Sequence, residues 1–255
     1  MSYPKELLAT RSVVRPGLYA VIPPDGLVNN VLPCLTGCRT SIVCSPKMGA
    51  SFVEYEVTVA PCGGTCAPFA GEDGVESFLY VVSGSVRAET AGESVVLAAG
   101  GYLFVPDGTG GLRFTNMGEE EAFVLLYKQR YVPNGKDRPH AVKGNVNEIP
   151  FRIYDEMENV RIKDLLPTDL AFDLNMHILS FEPGGCHPIV ETHVQEHGAY
   201  ILSGAGMYLL DERWMGIKKG DFMWFGPYVA QCAYGVGREP FAYIYSKDCN
   251  RDVII

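Results

Sequence analysis

Metal-ligand residue types lie close together in the string ETHVQEH, in the second half of the sequence. Glu191, His193 and His197 are all odd-numbered, so a strand whose side chains alternate would project them to one side. Gln231, which belongs to a different predicted strand, is a fourth candidate ligand. One carboxylate, two imidazoles and an amide oxygen suit a borderline-to-hard divalent ion such as Mn, Fe or Ni, and zinc also accepts such ligands. The sequence therefore predicts a metal site with open positions for substrate or water.

A second set of polar side chains follows the last strong strand pattern of the sequence. Tyr243, Tyr245 and Lys247 alternate along it, and Tyr208 lies on an earlier strand. Tyrosines in a barrel often serve only for packing, but a lysine that points inward loses its hydration unless an anion meets it. If Lys247 points inward, a substrate with a carboxylate is its natural partner. Tyr208 and Tyr243 fit equally well as packing residues and as candidate contacts to such a substrate.

The other three histidines are not expected to bind the metal. His187 precedes the ligand string at a turn and is predicted to be a surface residue. His177 lies in the mixed strand pattern NMHILSF and is predicted to be a satisfied barrel side chain. His140 belongs to a polar connector.

Short runs of β-branched and aromatic residues, separated by Gly- and Pro-containing turns, organise the whole chain. This pattern is typical of all-β sandwiches and barrels. The two halves of the sequence repeat it at a fixed offset, because Gly84 and Gly100 recur as Gly204 and Gly220, each 120 positions later. An offset shared by two glycines and the strand between them indicates a duplicated domain.

The repeat predicts two domains. The first would span residues 1–135, with an N-terminal arm and no metal site, and the second residues 150–255, with the metal and the active site. The stretch 132–150 is rich in Pro, Gly and Asn and is the predicted boundary. The apolar segment 6–24 has no place in either domain pattern and is a candidate for a subunit contact, so we expect a homo-oligomer. Residues 162–170 are the best candidate for a short helix.

The first copy lacks the ligands of the second. The positions 120 residues before the four candidate ligands hold Gly71, Asp73, Ser77 and Gly111, which is not a set that binds a transition metal. Glu76 lies one position off this pattern, on the opposite face of a regular strand. We therefore expect one divalent ion per chain, in the second domain, and interpret the first domain as structural support.

Composition and charge restrict the classes of partner. The 255 residues include 30 Asp and Glu against 21 Lys and Arg, and the formal net charge of −9 repels nucleic acid and anionic lipid. No apolar run is long enough for a membrane span and the first residues lack a signal-peptide pattern, so we expect a cytoplasmic protein. Eight cysteines without a CxxC pair favour free thiols over disulfides or a zinc site. The predicted partner is a small-molecule substrate.

The spacing of the second copy resembles the two sequence motifs of the cupins. Gly185, the candidate ligands and Gly204 follow the first motif, and Gly220, Gly226 and Gln231 follow the second. The ligand types differ from the motif, because a glutamate takes the first histidine position, a histidine the glutamate position and a glutamine the last histidine position. The resemblance implies a bicupin, which consists of two tandem antiparallel jelly-roll barrels.

Longer strings resemble the (S)-ureidoglycine aminohydrolase family of bicupins over essentially the whole chain. They include ETHVQEHGAYILSGAG, KKGDFMWFGPYVAQ and YIYSKDCNRD in the second half and PKMGASFVEYEVTV in the first. The resemblance implies release of ammonia from (S)-ureidoglycine to give (S)-ureidoglycolate in allantoin and purine catabolism, with Mn²⁺ in the C-terminal barrel. By position, the residues implied to hold the metal are Glu191, His193, His197 and Gln231. Those implied to lie at the substrate are Glu191, Gln231, Tyr243 and Lys247.

The sequence leaves the proton-transfer residue and two other functions open. Glu191 and Lys247 are both candidates for moving the protons. A cupin metal-dependent dioxygenase would fit the same ligand set with iron or nickel and would consume dioxygen. A non-enzymatic cupin that binds a small ligand fits the first copy but not the second.

Overall fold

A computed structural model describes residues 11–135 and 137–253. In these ranges the chain forms twenty β-strands, and its one helix is a 3-10 turn at Pro24–Gly26. The strands of the first half are β1 (Val13–Arg15), β2 (Tyr19–Ile22), β3 (Leu35–Cys44), β4 (Phe52–Thr65), β5 (Val75–Ser83), β6 (Ser85–Thr90), β7 (Glu93–Ala98), β8 (Gly101–Val105), β9 (Arg113–Thr115), β10 (Ala122–Arg130) and β11 (Val142–Asn145). Those of the second half are β12 (Arg152–Tyr154), β13 (Met157–Asp164), β14 (Leu174–Phe181), β15 (His197–Ser203), β16 (Ala205–Leu210), β17 (Arg213–Lys218), β18 (Phe222–Phe225), β19 (Gln231–Val236) and β20 (Phe241–Asp248). No described helix has the length and hydropathy that a membrane span requires.

The strands form three antiparallel sheets. The sheet of the first half has the order β11-β8-β5-β10-β4-β9-β6-β7, with β3 also paired to β4. The second half contributes one sheet of order β1-β2-β18-β15-β20-β14-β13-β12 and a smaller one of order β17-β16-β19. Non-consecutive strands pair throughout, as in jelly rolls. The predicted class, an all-β bicupin of two antiparallel barrels, is confirmed.

Two equivalent glycines show that the barrels repeat one design. Gly84 joins β5 to β6 and Gly204 joins β15 to β16, and both have positive φ, +75° and +66°. A Cβ would lie 2.8 Å from the Cα of Ala122 in the first case and 2.5 Å from the carbonyl oxygen of Pro240 in the second. Only glycine combines this backbone conformation with so close an approach, and the predicted duplication is therefore confirmed at the level of the strands.

Strand β5 shows how the two barrels share an apolar core. Its residues Leu79 and Val81 belong to the cluster that fills the first barrel. The alternate residues Phe78 and Tyr80 point the other way, into a cluster that contains side chains of both halves. A strand buried on both faces has a continuous apolar run instead of alternation, which explains the string FLYVV.

The N-terminal arm contributes a short strand to the second barrel. Residues 19–22 of β2 pair with residues 222–225 of β18, and Tyr19 and Val21 are buried in the core of the second barrel. β11, from within the predicted connector, pairs with β8 of the first barrel. The expectation that the segment 6–24 has no place in a core was wrong for this part, because β2 extends a sheet of its own chain. Positions 6–10 lie outside the described residues, and the domain limits and the homo-oligomer stay predictions.

An ion pair also connects the N-terminal arm to the second barrel. Asp221, which directly precedes β18, is completely buried, and its two carboxylate oxygens accept hydrogen bonds from Arg11 at 2.6 and 2.7 Å. The carboxylate also accepts the backbone N–H of Lys218 at 2.9 Å. The Arg11 side chain is 37% exposed. The two partners are therefore unequal, because only the carboxylate lacks contact with water.

Two buried glutamates of β4 lie on the side of the first barrel that faces the second. Burial and the neighbouring Glu56 raise the pKa of Glu54 to about 8, and burial with a contribution from Asp221 raises the pKa of Glu56 to about 8. One oxygen of each has no hydrogen-bond partner within the described ranges. The free oxygen of Glu54 lies so close to Gly198 of the second barrel that a Cβ there would be 2.5 Å away. Both side chains are therefore mainly protonated at neutral pH.

The predicted short helix at 162–170 was wrong. Its first residues lie in β13, where Ile162 is buried and Arg161 is exposed in the alternation of a strand. Pairing with β14 satisfies the backbone groups that a helix would satisfy internally. After the strand ends, Leu165 and Leu166 are buried in the cluster shared by the barrels.

Candidate active site

A cavity of about 420 Å³ lies within the second barrel. The size suits a small organic substrate. The structure brings all seven sequence-predicted site residues together in its lining: Glu191, His193, His197, Tyr208, Gln231, Tyr243 and Lys247. Tyr154, His187 and Tyr245 line the same cavity.

The ligand string does not form one continuous strand, as the alternation predicted. Only His197 belongs to a strand, as the first residue of β15. Glu191 instead forms an isolated bridge with Gln231, in which each backbone N–H donates to the other residue's carbonyl, at 2.8 and 2.9 Å. The backbone N–H of Tyr228 donates to the carbonyl of His193 at 2.8 Å and fixes the loop that carries His193. Contacts with neighbouring segments therefore bring the side chains together.

The two histidines of the string are held with bare nitrogens toward each other. His193 Nδ1 lies 2.9 Å from the carbonyl oxygen of Gln195, and His197 Nδ1 lies 2.8 Å from that of Ser246. A carbonyl only accepts, so each Nδ1 carries the proton and each Nε2 presents a lone pair. The two Nε2 atoms are 3.3 Å apart. Burial lowers the pKa of both imidazoles, which keeps them neutral.

These histidines and Gln231 fit a divalent metal ion. His193 Nε2 accepts from the Gln231 amide, whereas the lone pair of His197 Nε2 faces only that of His193; a cation between the two rings would satisfy both lone pairs. Nitrogens that each lie about 2.1 Å from one ion are about 3 Å from each other, close to the separation of the two Nε2 atoms. A backbone carbonyl on the opposite Nδ1 is the usual outer support of a metal-binding histidine. The amide of Gln231 reaches the same place, with its nitrogen 2.7 Å from His193 Nε2, and a half-turn of the amide presents its oxygen instead.

Glu191 is set back from this group. Over the described residues, no three His, Cys, Asp or Glu side chains converge closely enough to form a metal group. The carboxylate of Glu191 instead accepts a hydrogen bond from the Tyr154 hydroxyl. Burial raises the pKa of Glu191, and the positive charge of Lys247 opposes the shift. The carboxylate has a second oxygen for another contact.

Two tyrosines support Gln231 from inside the barrel. The hydroxyl of Tyr243 donates to Tyr208, and the hydroxyl of Tyr208 donates to Gln231 Oε1 at 3.1 Å. Burial raises the pKa of both phenols, so they stay neutral donors. The structure thus places these residues, predicted as substrate contacts, against a candidate metal ligand. With the Gln231 amide half-turned, its nitrogen would donate to the Tyr208 hydroxyl instead.

Lys247 lies on β20 and lines the cavity. The structure shows no hydrogen bond or ion pair for its ammonium group within the described part of the chain. Its charge acts on Glu191 and on both histidines of the string, since it lowers the pKa of each. The cavity therefore contains a cation that has no fixed anionic partner.

The expectation that His187 lies at the surface was wrong. Its ring is 6% exposed and lines the cavity. The sequence signal that was missed is the odd number of His187, which in a strand-like segment gives its side chain the same direction as that of Glu191. The segment pairs with β19 at both of its ends. His177, by contrast, is a satisfied barrel residue as predicted, because its Nδ1 lies 2.9 Å from Asp164 and lowers the pKa of that carboxyl.

Comparisons with known proteins agree on one family. The (S)-ureidoglycine aminohydrolase of Escherichia coli (strain K12) is 50% identical over 254 residues, which cover 99% of this chain and 97% of that protein. The (S)-ureidoglycine aminohydrolase of Arabidopsis thaliana is 28% identical over 244 residues, 95% of this chain and 79% of that one. The crystal structure of protein YlbA from E. coli matches with a TM-score of 0.88 and 48% identity over 100% of both chains. No family model matches the sequence. The chain belongs to the (S)-ureidoglycine aminohydrolase family.

Proposed function

We propose that this enzyme hydrolyses (S)-ureidoglycine to (S)-ureidoglycolate and ammonia, as a step of allantoin degradation, with one divalent ion in the second barrel. The observation that carries the proposal is the convergence of two bare imidazole nitrogens, an amide, a carboxylate and an unpaired lysine in one cavity. The names and identities of the relatives support the same reaction.

The donor set supports Mn²⁺ as the first candidate ion. His193, His197 and Gln231 would hold it, and Glu191 would complete the set with the oxygen that Tyr154 does not bind. The cavity lining contains no thiolate, so it favours a borderline-to-hard ion, and iron, nickel and zinc are the competitors. Such an ion supplies Lewis-acid stabilisation of the charge that develops during the reaction.

Lys247 would bind and orient the substrate through its carboxylate. A charge-assisted hydrogen bond between ammonium and carboxylate is about twice as strong as one between neutral groups. The absence of a protein anion at Lys247 in the described structure leaves this bond to the substrate. The contact would place the substrate's Cα, which carries both the carboxylate and the amino group, beside the histidine pair.

Glu191 would move the proton. Hydrolysis replaces the amino group on Cα with a hydroxyl from water, so the C–N bond breaks, a C–O bond forms, and one proton passes from water to the departing nitrogen. A carboxylate at the cavity wall can accept that proton and return it as ammonia leaves. The hydrogen bond from Tyr154 holds one carboxylate oxygen in place. The other oxygen, which would contact the ion, has a second lone pair for the transfer.

Incubation with freshly generated (S)-ureidoglycine and measurement of ammonia tests the reaction directly. Elemental analysis should give one metal per chain, and calorimetric titration of the metal-free protein with Mn²⁺ should give one site. His193→Ala and His197→Ala should lose both metal and ammonia release, whereas His140→Ala, an exposed histidine outside the cavity, should keep both.

Several results would contradict the proposal. Two metals per chain, or equal metal retention in the His193 and His197 variants, would refute the assigned site. Consumption of dioxygen during turnover would indicate the dioxygenase alternative. Absence of ammonia release from metal-loaded protein would indicate a binding function instead.

A further inference from the structure

The histidine that the sequence analysis placed at the surface is held rigidly by one residue of β19. The backbone N–H of His187 donates to the carbonyl of Ala233 at 3.0 Å. In return, the backbone N–H of Ala233 donates to His187 Nδ1 at 2.9 Å. Both the main chain and the ring of His187 are thus fixed by the strand that begins with Gln231.

This arrangement sets the tautomer of the His187 ring. A backbone N–H is always a donor, so Nδ1 of His187 must be the acceptor and must carry no proton. The neutral ring then carries its proton on Nε2. Burial lowers the pKa of His187 to about 4, and the ring therefore stays neutral at physiological pH. His187 differs in this respect from His193 and His197, whose Nδ1 atoms carry the proton and whose Nε2 atoms are bare.

The Nε2–H of His187 lacks an acceptor in the described part of the protein. The ring packs edge-to-face against Phe181, Tyr154 and Tyr208, with centroids 5.0, 6.5 and 6.5 Å away. No hydrogen bond joins its Nε2 to any of these side chains. Because His187 lines the cavity, its Nε2–H is a fixed, neutral donor that is available to an acceptor on a ligand.

We propose that His187 recognises the ureido carbonyl oxygen of the substrate through its Nε2–H. This inference rests on the proposed function. Of the polar groups of ureidoglycine, the carboxylate is matched by Lys247, and the amino group must remain at the reacting centre. The ureido carbonyl is the remaining strong acceptor. A neutral donor suits it, because a second cation would compete with Lys247 for the carboxylate.

Binding of two stable ligands to the metal-loaded protein tests the contact. Ureidoacetate retains the carboxylate and the ureido carbonyl, and guanidinoacetate replaces the ureido group by a guanidinium, which only donates and carries a positive charge. The charge affects binding to every variant, so the contribution of His187 is read from the change in preference on substitution. The natural protein should bind ureidoacetate about 10-fold or more tightly than guanidinoacetate by calorimetry, as expected for loss of one buried hydrogen bond. His187→Asn keeps an acceptor for Ala233 but lacks a donor at the Nε2 position, so it should lose most of this preference. His187→Gln places an amide N–H near that position and should recover part of it.

Three further readouts separate the possible failures. The circular dichroism spectrum and metal content of both variants must match those of the natural protein, which excludes misfolding. Nitrogen NMR of the imidazole rings should show His187 as the Nε2–H tautomer in the metal-loaded protein, and an Nδ1–H tautomer would overturn the proposal. An unchanged preference in His187→Asn would also overturn it. Ammonia release by the natural protein is measured separately, so that its absence refutes the proposed function and not the contact.

Discussion

Removal of Arg11 tests how far the N-terminal arm stabilises the second barrel. Arg11→Met keeps most of the aliphatic side chain and removes the guanidinium, which leaves Asp221 as a completely buried charge without its partner. Breaking a buried ion pair in this way costs about 3 to 5 kcal/mol. Asp221→Asn instead leaves a guanidinium that is 37% exposed and is hydrated by water. We expect a loss of about 1 to 2 kcal/mol from the second change, because it weakens hydrogen bonds without leaving a buried charge.

Urea unfolding of the two variants and of the double variant measures this asymmetry. The Arg11 variant should lose about twice as much free energy of unfolding as the Asp221 variant, and the double variant should lose less than the sum, since the two residues contact each other. Arg15→Met, an exposed arginine of the same arm, is the matched control and should lose less than about 0.5 kcal/mol. Equal losses in the two single variants, or full additivity, would refute the reasoning.

Three further predictions concern a buried acid, the substrate anchor and a strained turn. Burial raises the pKa of Glu54 from its ordinary value of 4.5 to about 8 in the folded protein. The stability of the folded protein should therefore be highest below pH 4.5 as far as Glu54 is concerned, and should decrease by about 1.4 kcal/mol per pH unit as the pH rises from there toward 8. Glu54→Gln should remove that decrease, and parallel stability curves for the two proteins in urea unfolding across this range would contradict it. Lys247→Met should keep the fold and the metal but raise the KM of ammonia release by about 10- to 100-fold, because the substrate loses a hydrogen bond to a charged group. Steady-state kinetics within a few-fold of the natural protein would remove Lys247 from the site. Glu156→Gly should stabilise the β12–β13 turn by about 1 kcal/mol, because Glu156 has a φ of +60° that glycine adopts without steric cost. A lower melting temperature in the variant would show that the turn is not strained.

The sequence could predict that seven residues line one cavity, because their spacing along the chain follows the alternation of side chains in strands. Two glycines at one offset indicated the duplication, and one of them, Gly84, recurs as Gly204 at a position where a Cβ would meet backbone in both barrels. The ligand types indicated which copy would carry the chemistry. The detailed reason given for the convergence was incomplete, since Glu191 and His193 are placed by Gln231 and Tyr228 of neighbouring segments and not by one regular strand.

The remaining features depend on contacts that local sequence does not encode. Tyr154 reaches Glu191 only because the hairpin of β12 and β13 extends the second sheet over the cavity. His187 is buried because its segment runs along β19, whereas the sequence indicated only a turn at this position. The apolar pattern at 162–170 suited either a helix or a strand, and pairing with β14 selected the strand.

The pairing of β2 with β18 of the second barrel sets an order of events during synthesis. Residue 22 of β2 pairs with residue 222 of β18, so the ribosome must add 200 residues between the two partners. At about 5 to 20 residues per second, β2 waits about 10 to 40 s for its neighbour. Over that time the edge that β18 will cover is open, although the first barrel acquires all its strands, β11 included, before β18 is made. A gene cut anywhere within the connector would separate β2 from β18, so the second barrel keeps this edge pairing only in the same polypeptide as the first half.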